Sequence, residues 1–297
     1  MATTKSKTTS KNTKTSKKSK KSPSPSRWLK PLLIGLAGIV AIFAIFYFIF
    51  KNNQNTSDYI VETNGFFAPF EYYQGPDLVG VDIDIIHRVA EKMNKTIKIE
   101  NVDFSTILDN VAAGKVADAG IAGFTITEAR AEKVDFSIPY YKSTQYVIYN
   151  SQKPINSHPD FIIWEDLKDK TIGLQTDTTG WLFAHDEVES GSLADTKTAL
   201  KGFDSVQLAA DGIFANITDA VVIDELAARY IVSKNANLNV LPLYFNNNDG
   251  TFSPVEESYA VAVNKNRPEL LEAINKTLEE MLANDEINQL VTKHMGL

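Results

Sequence analysis

Twenty consecutive residues without a charge, 31–50 (PLLIGLAGIVAIFAIFYFIF), divide the chain into two stretches of opposite character. A helix rises about 1.5 Å per residue, so this run is long enough for the roughly 30 Å hydrocarbon core of a bilayer. It predicts one N-terminal transmembrane helix. A cleavable leader is the competing reading, but its apolar core is usually about 7–15 residues and is followed by small residues. Here bulky Phe46, Tyr47, Phe48, Ile49 and Phe50 lead into Lys51, which favours a retained anchor. Residues 51–57 (KNNQNTS) read as a polar linker.

Beyond the linker the pattern alternates between period two and period 3.6. Strands are expected at 59–63 (YIVET), 97–100 (IKIE), 117–122, 145–149 (QYVIY), 171–175 (TIGLQ), 219–223 (DAVVI), 239–243 and 259–264 (YAVAVN). Helices are expected at 84–94, where Ile85, Val89 and Met93 share a face, and at 105–113, closed by Gly114. Further helices are expected at 180–187, 225–232, 269–282 after Pro268, and 286–294, stopped by Gly296. NNNDG at 246–250 is a turn cluster. Strands alternating with helices argue for α/β sheets covered on both faces. Two such sets in succession predict two lobes with a cleft between them, where small ligands bind.

Charge sharpens this division. Residues 1–30 hold ten of the chain's 30 Lys and Arg and none of its 37 Asp and Glu, so the remainder carries 20 basic against 37 acidic residues, a net of −17. The basic flank should stay cytoplasmic and send the acidic body outside. No aromatic side chain interleaves with these lysines before Trp28, which argues against nucleic-acid binding. The chain has no Cys. Disulfides, thiolate metal sites and a lipid anchor on an acylated Cys are therefore excluded.

Enzyme motifs are sparse. Neither GxSxG nor GxxxxGK[ST] occurs, and His87, His158, His185 and His294 form no HExxH. The histidines read as structural. The informative segment is 122–130 (AGFTITEAR), where two threonines precede a helix start. Thr127 is a good N-cap, and Arg130 can reach back toward the same point. Hydroxyls, backbone N–H groups and a bidentate guanidinium make a carboxylate site. The plainer alternative for Arg130 is a surface ion pair with Glu128 or Asp135. Asp224 follows an apolar strand and precedes a helix. It is either a helix cap or an anion facing a cleft, ready for an ammonium group. A carboxylate clamp with an ammonium partner describes an α-amino acid. Asp82 and Asp84 could form a carboxylate dyad, but their place before a helix reads better as capping and dipole compensation.

Residues 58–297 resemble the extracytoplasmic solute-binding proteins of polar amino-acid ABC importers, the group with the glutamine-, histidine- and lysine/arginine/ornithine-binding proteins. Seven segments in order carry the likeness: 67–71 (FAPFE), 80–85 (GVDIDI), Asp103-Phe104, 125–130 (TITEAR), 135–140 (DFSIPY), 173–179 (GLQTDTT) and 219–224 (DAVVID). The resemblance implies a two-lobed type II periplasmic-binding-protein fold, closing like a hinge and preceded here by the N-terminal helix. It places lobe 1 at 58–142 and 257–297 and lobe 2 at 143–256.

By the same resemblance Arg130 would take the ligand's α-carboxylate, helped by Thr125 and backbone at Ala122 and Gly123, with Thr178 and Thr179 adding donors from lobe 2. Asp224 would hold the α-ammonium. Phe67 and Phe104 would sandwich the side chain, while Asn64 and Gln175 vary with the ligand. Each has a plainer reading: Phe67 and Phe104 as core aromatics, Thr178 and Thr179 as helix caps. Phe70 is assigned to the core. Asp177 stands where the family has Gly, at a position expected to be left-handed. Asn64 replaces an Asp seen in several relatives.

The implied partners are a polar amino acid, the permease subunits of an ABC importer and the membrane, with no cofactor, no metal and no nucleic acid. Arginine or lysine and glutamine stay open as ligands. Acidic ligands are disfavoured, because no second cation stands near the matched positions. The implied protein is a single-pass, externally facing binding protein and not an enzyme. A ligand-sensing ectodomain and a dehydratase-like enzyme on the same fold are the alternatives.

Overall fold

The computed structural model describes residues 57–296. The predicted transmembrane segment 31–50, the basic tail and linker residues 51–56 lie outside the described residues. Among the described residues no helix is long and apolar enough to cross a membrane.

The chain starts with β1 (Tyr59–Thr63), then a small sheet of β2 (Phe66–Phe67), β3 (Glu71–Gln74) and β4 (Asp77–Val79). Helix α1 (Val81–Met93), β5 (Ile97–Asn101), α2 (Phe104–Ala113), β6 (Ala119–Gly120), the short α3 (Glu128–Lys133) and β7 (Asp135–Phe136) complete the first half. The long β8 (Tyr141–Asn150) opens the second half. There follow β9 (Ile162–Ile163), β10 (Thr171–Gln175), α4 (Thr179–Glu189), β11 (Ala199–Phe203), α5 (Val206–Phe214), β12 (Ala220–Asp224), α6 (Glu225–Ser233), β13 (Leu238–Asn246) and β14 (Phe252–Pro254). The chain returns through β15 (Glu256–Tyr259) to β16 (Ala262–Val263), α7 (Pro268–Ala283) and α8 (Glu286–Met295).

Two sheets define the lobes. The first has the order β5-β1-β6-β16-β7, with β16 antiparallel to β6 and β7. The second runs β11-β10-β12-β8-β13-β14, parallel from β11 to β12 and antiparallel around β8. Every residue of β12 is buried, as expected of a strand with helices on both faces. Two segments, β8 and β15, link the halves, and they pair with each other from Tyr141↔Tyr259 to Thr144↔Glu256. The expected strand at 259–264 is therefore two strands: one belongs to the interlobe ribbon and one to the first sheet.

Stop signals fixed the helix ends well. Gly114 caps α2 at φ +62 and Asn94 caps α1 at φ +50. Helix α1 begins at Val81, earlier than periodicity predicts, because Gly80 turns the chain at φ +140. A Cβ there would lie 1.9 Å from the Phe70 carbonyl oxygen, so no other residue fits. The core of the second lobe is built on Trp164, Leu167, Ile172, Leu174 and Val222. Ile107, Val111 and Phe124 seal α2 onto the first sheet.

Candidate ligand-binding site

A pocket lies between the lobes, with about 340 Å³ of empty space that is partly open to solvent. It is lined by Asn64, Phe67, Glu71, Phe104, Ala122, Gly123, Thr125, Arg130, Gln175, Thr178, Thr179 and Asp224. The fold thus brings all eleven sequence-derived candidates to one surface and adds Glu71.

Arg130 forms one pole. Thr127 caps α3, its Oγ1 accepting from the Arg130 N–H at 3.2 Å. The Arg130 side chain is 8% exposed. Its Nη1 donates to the Thr125 carbonyl at 2.8 Å and its Nη2 to the Asp177 carbonyl at 2.9 Å. The surface ion pair with Glu128 or Asp135 does not form. The guanidinium carbon lies 5.6 Å from the Phe124 ring centroid and 6.0 Å from that of Phe104, within cation–π range. Burial draws the guanidinium pKa down, opposed by the charges of Glu257, Asp224 and Asp177.

Gly123 has φ +56, and a Cβ there would come within 2.9 Å of the Phe67 ring. Its N–H, expected to serve a ligand, instead donates to Asp82 Oδ2 at 3.1 Å. Asp82 does not cap α1. It is fully buried and also accepts from the Tyr140 hydroxyl at 2.8 Å. Burial pushes its pKa up to about 6, although the bonds from Tyr140 and Gly123 pull the other way. Asp84 does not cap either: it pairs with Lys293 at 2.8 Å and with His294 at 2.9 Å. The capping expectation failed because the turn at Gly80 leaves no side-chain cap and both carboxyls found partners distant in sequence.

The opposite pole is acidic. Asp224 occupies the N-cap position of α6, yet its side chain makes no capping bond. Its Oδ1 accepts from the Tyr259 hydroxyl at 2.6 Å. Burial first, and Glu257 second, raise its pKa well above the carboxylate range. Glu71 is wholly inaccessible, and neither of its carboxylate oxygens has a partner. Burial and the neighbouring Asp82 raise it strongly as well. The sequence marked Glu71 only as the last residue of FAPFE. It opens an alternating strand, EYYQ, that reads as an edge facing water.

The walls serve two purposes. Phe67 stacks on Phe70, centroids 5.8 Å apart, and Phe104 on Phe124 at 4.9 Å. Phe67 is thus a core aromatic and Phe104 a half-buried one, and both line the cavity. Phe70 is buried as expected. Thr178 does cap α4, accepting from the Trp181 N–H at 3.2 Å. Thr179 Oγ1 meets Thr125 Oγ1 at 3.4 Å, and Gln175 Nε2 donates to Asn64 Oδ1 at 3.3 Å. With the Arg130–Asp177 bond, these contacts join the lobes across the cleft. Among the described residues no cluster of His, Asp and Glu could hold a metal ion.

Two hinged α/β lobes closing on a cavity with a guanidinium at one pole and carboxyls at the other define a solute-binding protein of the periplasmic type. Residues 59–297 match the profile of the bacterial extracellular solute-binding proteins, family 3, and the chain belongs to that family. It is a binding protein and not an enzyme. It is 26% identical over 238 residues to the arginine-binding extracellular protein ArtP of Bacillus subtilis, covering 79% of this chain and 84% of ArtP. The amino-acid-binding protein AbpA of Streptococcus pneumoniae, solved with L-arginine, superposes with a TM-score of 0.69 at 26% identity, covering 80% of this chain and 94% of AbpA. An ancestral arginine-binding protein bound to arginine gives 0.67 at 30% identity, over 79% and 96% of the two chains.

Proposed function

We propose that the external body captures a basic amino acid, L-arginine best of all, and presents it to the permease of an ABC importer. The observation that carries this reading is the charge balance of the cavity. One guanidinium, Arg130, lines the same pocket as the carboxyls of Asp224 and Glu71. A zwitterion complements the guanidinium at one end and the carboxyl of Asp224 at the other, and no second cation lines the cavity to favour an acidic side chain. Arg130 and Thr125 take the α-carboxylate, with Thr178 and Thr179 closing from the second lobe. Asp224 takes the α-ammonium. Phe67 and Phe104 flank the side-chain stem, and Asn64 and Gln175 meet its end. The arginine ligands of the relatives described above point the same way.

Lobe 1 comprises residues 58–142 and 257–297 and lobe 2 residues 143–256, a division supported by sheet membership. The apolar run 31–50 tethers the body to the outer face of the membrane, which raises its encounter with a permease through effective concentration. Calorimetric titration with arginine, lysine, histidine, glutamine and glutamate tests the ligand. Arginine is expected to bind tightest and glutamate not at all. Equal or tighter binding of glutamate would overturn the charge argument.

A further inference from the structure

His294 is a histidine that the binding site leaves unused. It stands in the last turn of α8, is 9% exposed, and has both ring nitrogens bonded. Nε2 lies 2.9 Å from Asp84 Oδ2 on α1, and Nδ1 lies 3.2 Å from the Tyr72 hydroxyl on β3. Lys293 donates to the same Asp84 oxygen at 2.8 Å. The Tyr72 ring meets the imidazole edge-on, centroids 5.9 Å apart. It also meets the Tyr230 ring, centroids 5.8 Å apart at an interplanar angle of 48°. Asp84, His294 and Tyr72 belong to the first lobe, whereas Tyr230 lies on α6 of the second. A chain of four side chains thus runs from the last helix across the lobe boundary. Tyr72 and Tyr230 line a groove with Phe66, Tyr73, Val206 and Ile231, apart from the ligand pocket.

A carboxylate only accepts, so Nε2 is the donor to Asp84, while the Tyr72 hydroxyl can donate to Nδ1 or accept from it. The imidazole is thereby held at one end and holds the phenol at the other. Tyr72 sits on a short strand whose next two residues are exposed. Without the bond to His294 its ring would keep rotamer freedom that it must lose on packing against the second lobe. We propose that His294 is a positioning residue for lobe closure: anchored on Asp84, it holds the Tyr72 ring ready for Tyr230, and the Tyr72–Tyr230 contact latches the ligand-bound form. The ring is ordered before the lobes meet, so closure does not bear that entropy cost. A ligand enclosed in the pocket leaves only after this contact parts, although neither ring lines the pocket. The latch therefore sets affinity from outside the site, whichever amino acid is held.

The latch rests on capture of an amino acid between the lobes, and the experiment separates the two. L-Arginine is titrated calorimetrically into the protein and into His294→Ala, Tyr72→Phe, Tyr230→Ala and the double variant of His294→Ala with Tyr230→Ala. Thermal unfolding of each free protein is measured alongside. Each single variant should bind about threefold to tenfold more weakly, the span of one aromatic pair. The double variant should bind no more weakly than Tyr230→Ala alone, because His294 acts only through that contact. Tyr72→Phe removes a single hydroxyl, which keeps the test decisive should His294→Ala fail to fold. A merely structural histidine would lower the unfolding temperature and leave arginine affinity unchanged. That outcome, or losses that multiply in the double variant, overturns the latch and leaves the amino-acid reading standing. If no amino acid binds the native protein, that reading falls and X-ray scattering decides the latch. The free native protein should then be more compact than Tyr230→Ala, and equal radii of gyration would overturn it.

Discussion

Arg130 of the first lobe and Asp177 of the second are tied together through the main chain: the guanidinium Nη2 donates to the Asp177 carbonyl at 2.9 Å. One side chain therefore lines the pocket and makes the lobe contact. Its planar fork also reaches Thr125, which a lysine could not match with a single ammonium. Arg130→Ala should abolish arginine binding, a loss on the scale of about 3–5 kcal/mol for removing one partner of a buried charge pair. Arg130→Lys should recover only a small part. Titration calorimetry, with circular dichroism to verify folding, measures both. Unchanged affinity in Arg130→Ala would remove the carboxylate assignment.

Asp177 holds φ +63, in the left-handed region. Its contribution to the site is a carbonyl, which any residue supplies. Asp177→Gly should thus relieve backbone strain and raise unfolding free energy by up to about 1 kcal/mol. It should leave the Arg130 bond intact. Chemical denaturation gives the first number and ligand titration the second. A loss of stability would mean that the Asp side chain holds the turn by another route.

The sequence reading succeeded where a local signal coincided with a physical need. Gly114 ends α2, Thr127 caps α3, and the apolar run 220–223 forms a central strand. It missed α5, because the buried stripe Val206, Ala209, Ala210 and Ile213 is half alanine and contains Gly212. It extended β6 to six residues, whereas β6 pairs only through Ala119 and Gly120. At the site, Arg130 and Asp224 were legible because each stands at a strand–helix junction within a motif. Glu71 and Glu257 were not. Both lie in strands (EYYQ, EESY) whose polarity imitates a wet edge. Their burial comes from strand pairing, Glu71 in the sheet of β2, β3 and β4 and Glu257 in the ribbon of β15 with β8.

Asn64 is held at both ends of its amide. Its Nδ2 donates to the Val102 carbonyl at 2.8 Å, while its Oδ1 accepts from Gln175. Placing there the Asp that the family resemblance leads one to expect would set a carboxylate oxygen against the Val102 carbonyl in a buried site. Asn64→Asp should therefore lower stability by about 1–3 kcal/mol, the range for an unsatisfied buried polar group. Thermal unfolding without ligand measures this. A neutral result would show that Val102 finds another donor.

Asp82 sets a pH dependence whose sign can be worked out. Its pKa moves from 3.8 to about 6 in the folded protein, mainly through burial. Below about pH 4 the group is protonated in both states and contributes nothing. As pH rises toward 6, the unfolded chain gives up this proton first, so the folded state binds more protons and stability falls. Above 6 the penalty is complete, at about 3 kcal/mol for a shift of roughly two units. Asp82→Asn removes the titration but keeps an acceptor for either Tyr140 or Gly123. Urea unfolding of both proteins from pH 4 to 7 follows this carboxyl together with the shift it imposes on neighbouring Glu71, while groups that do not contact Asp82 cancel in the difference. The variant should gain on the native protein by about 2–3 kcal/mol across the interval. A difference that stays flat would mean that Asp82 is ionised throughout and that its two donors outweigh its burial.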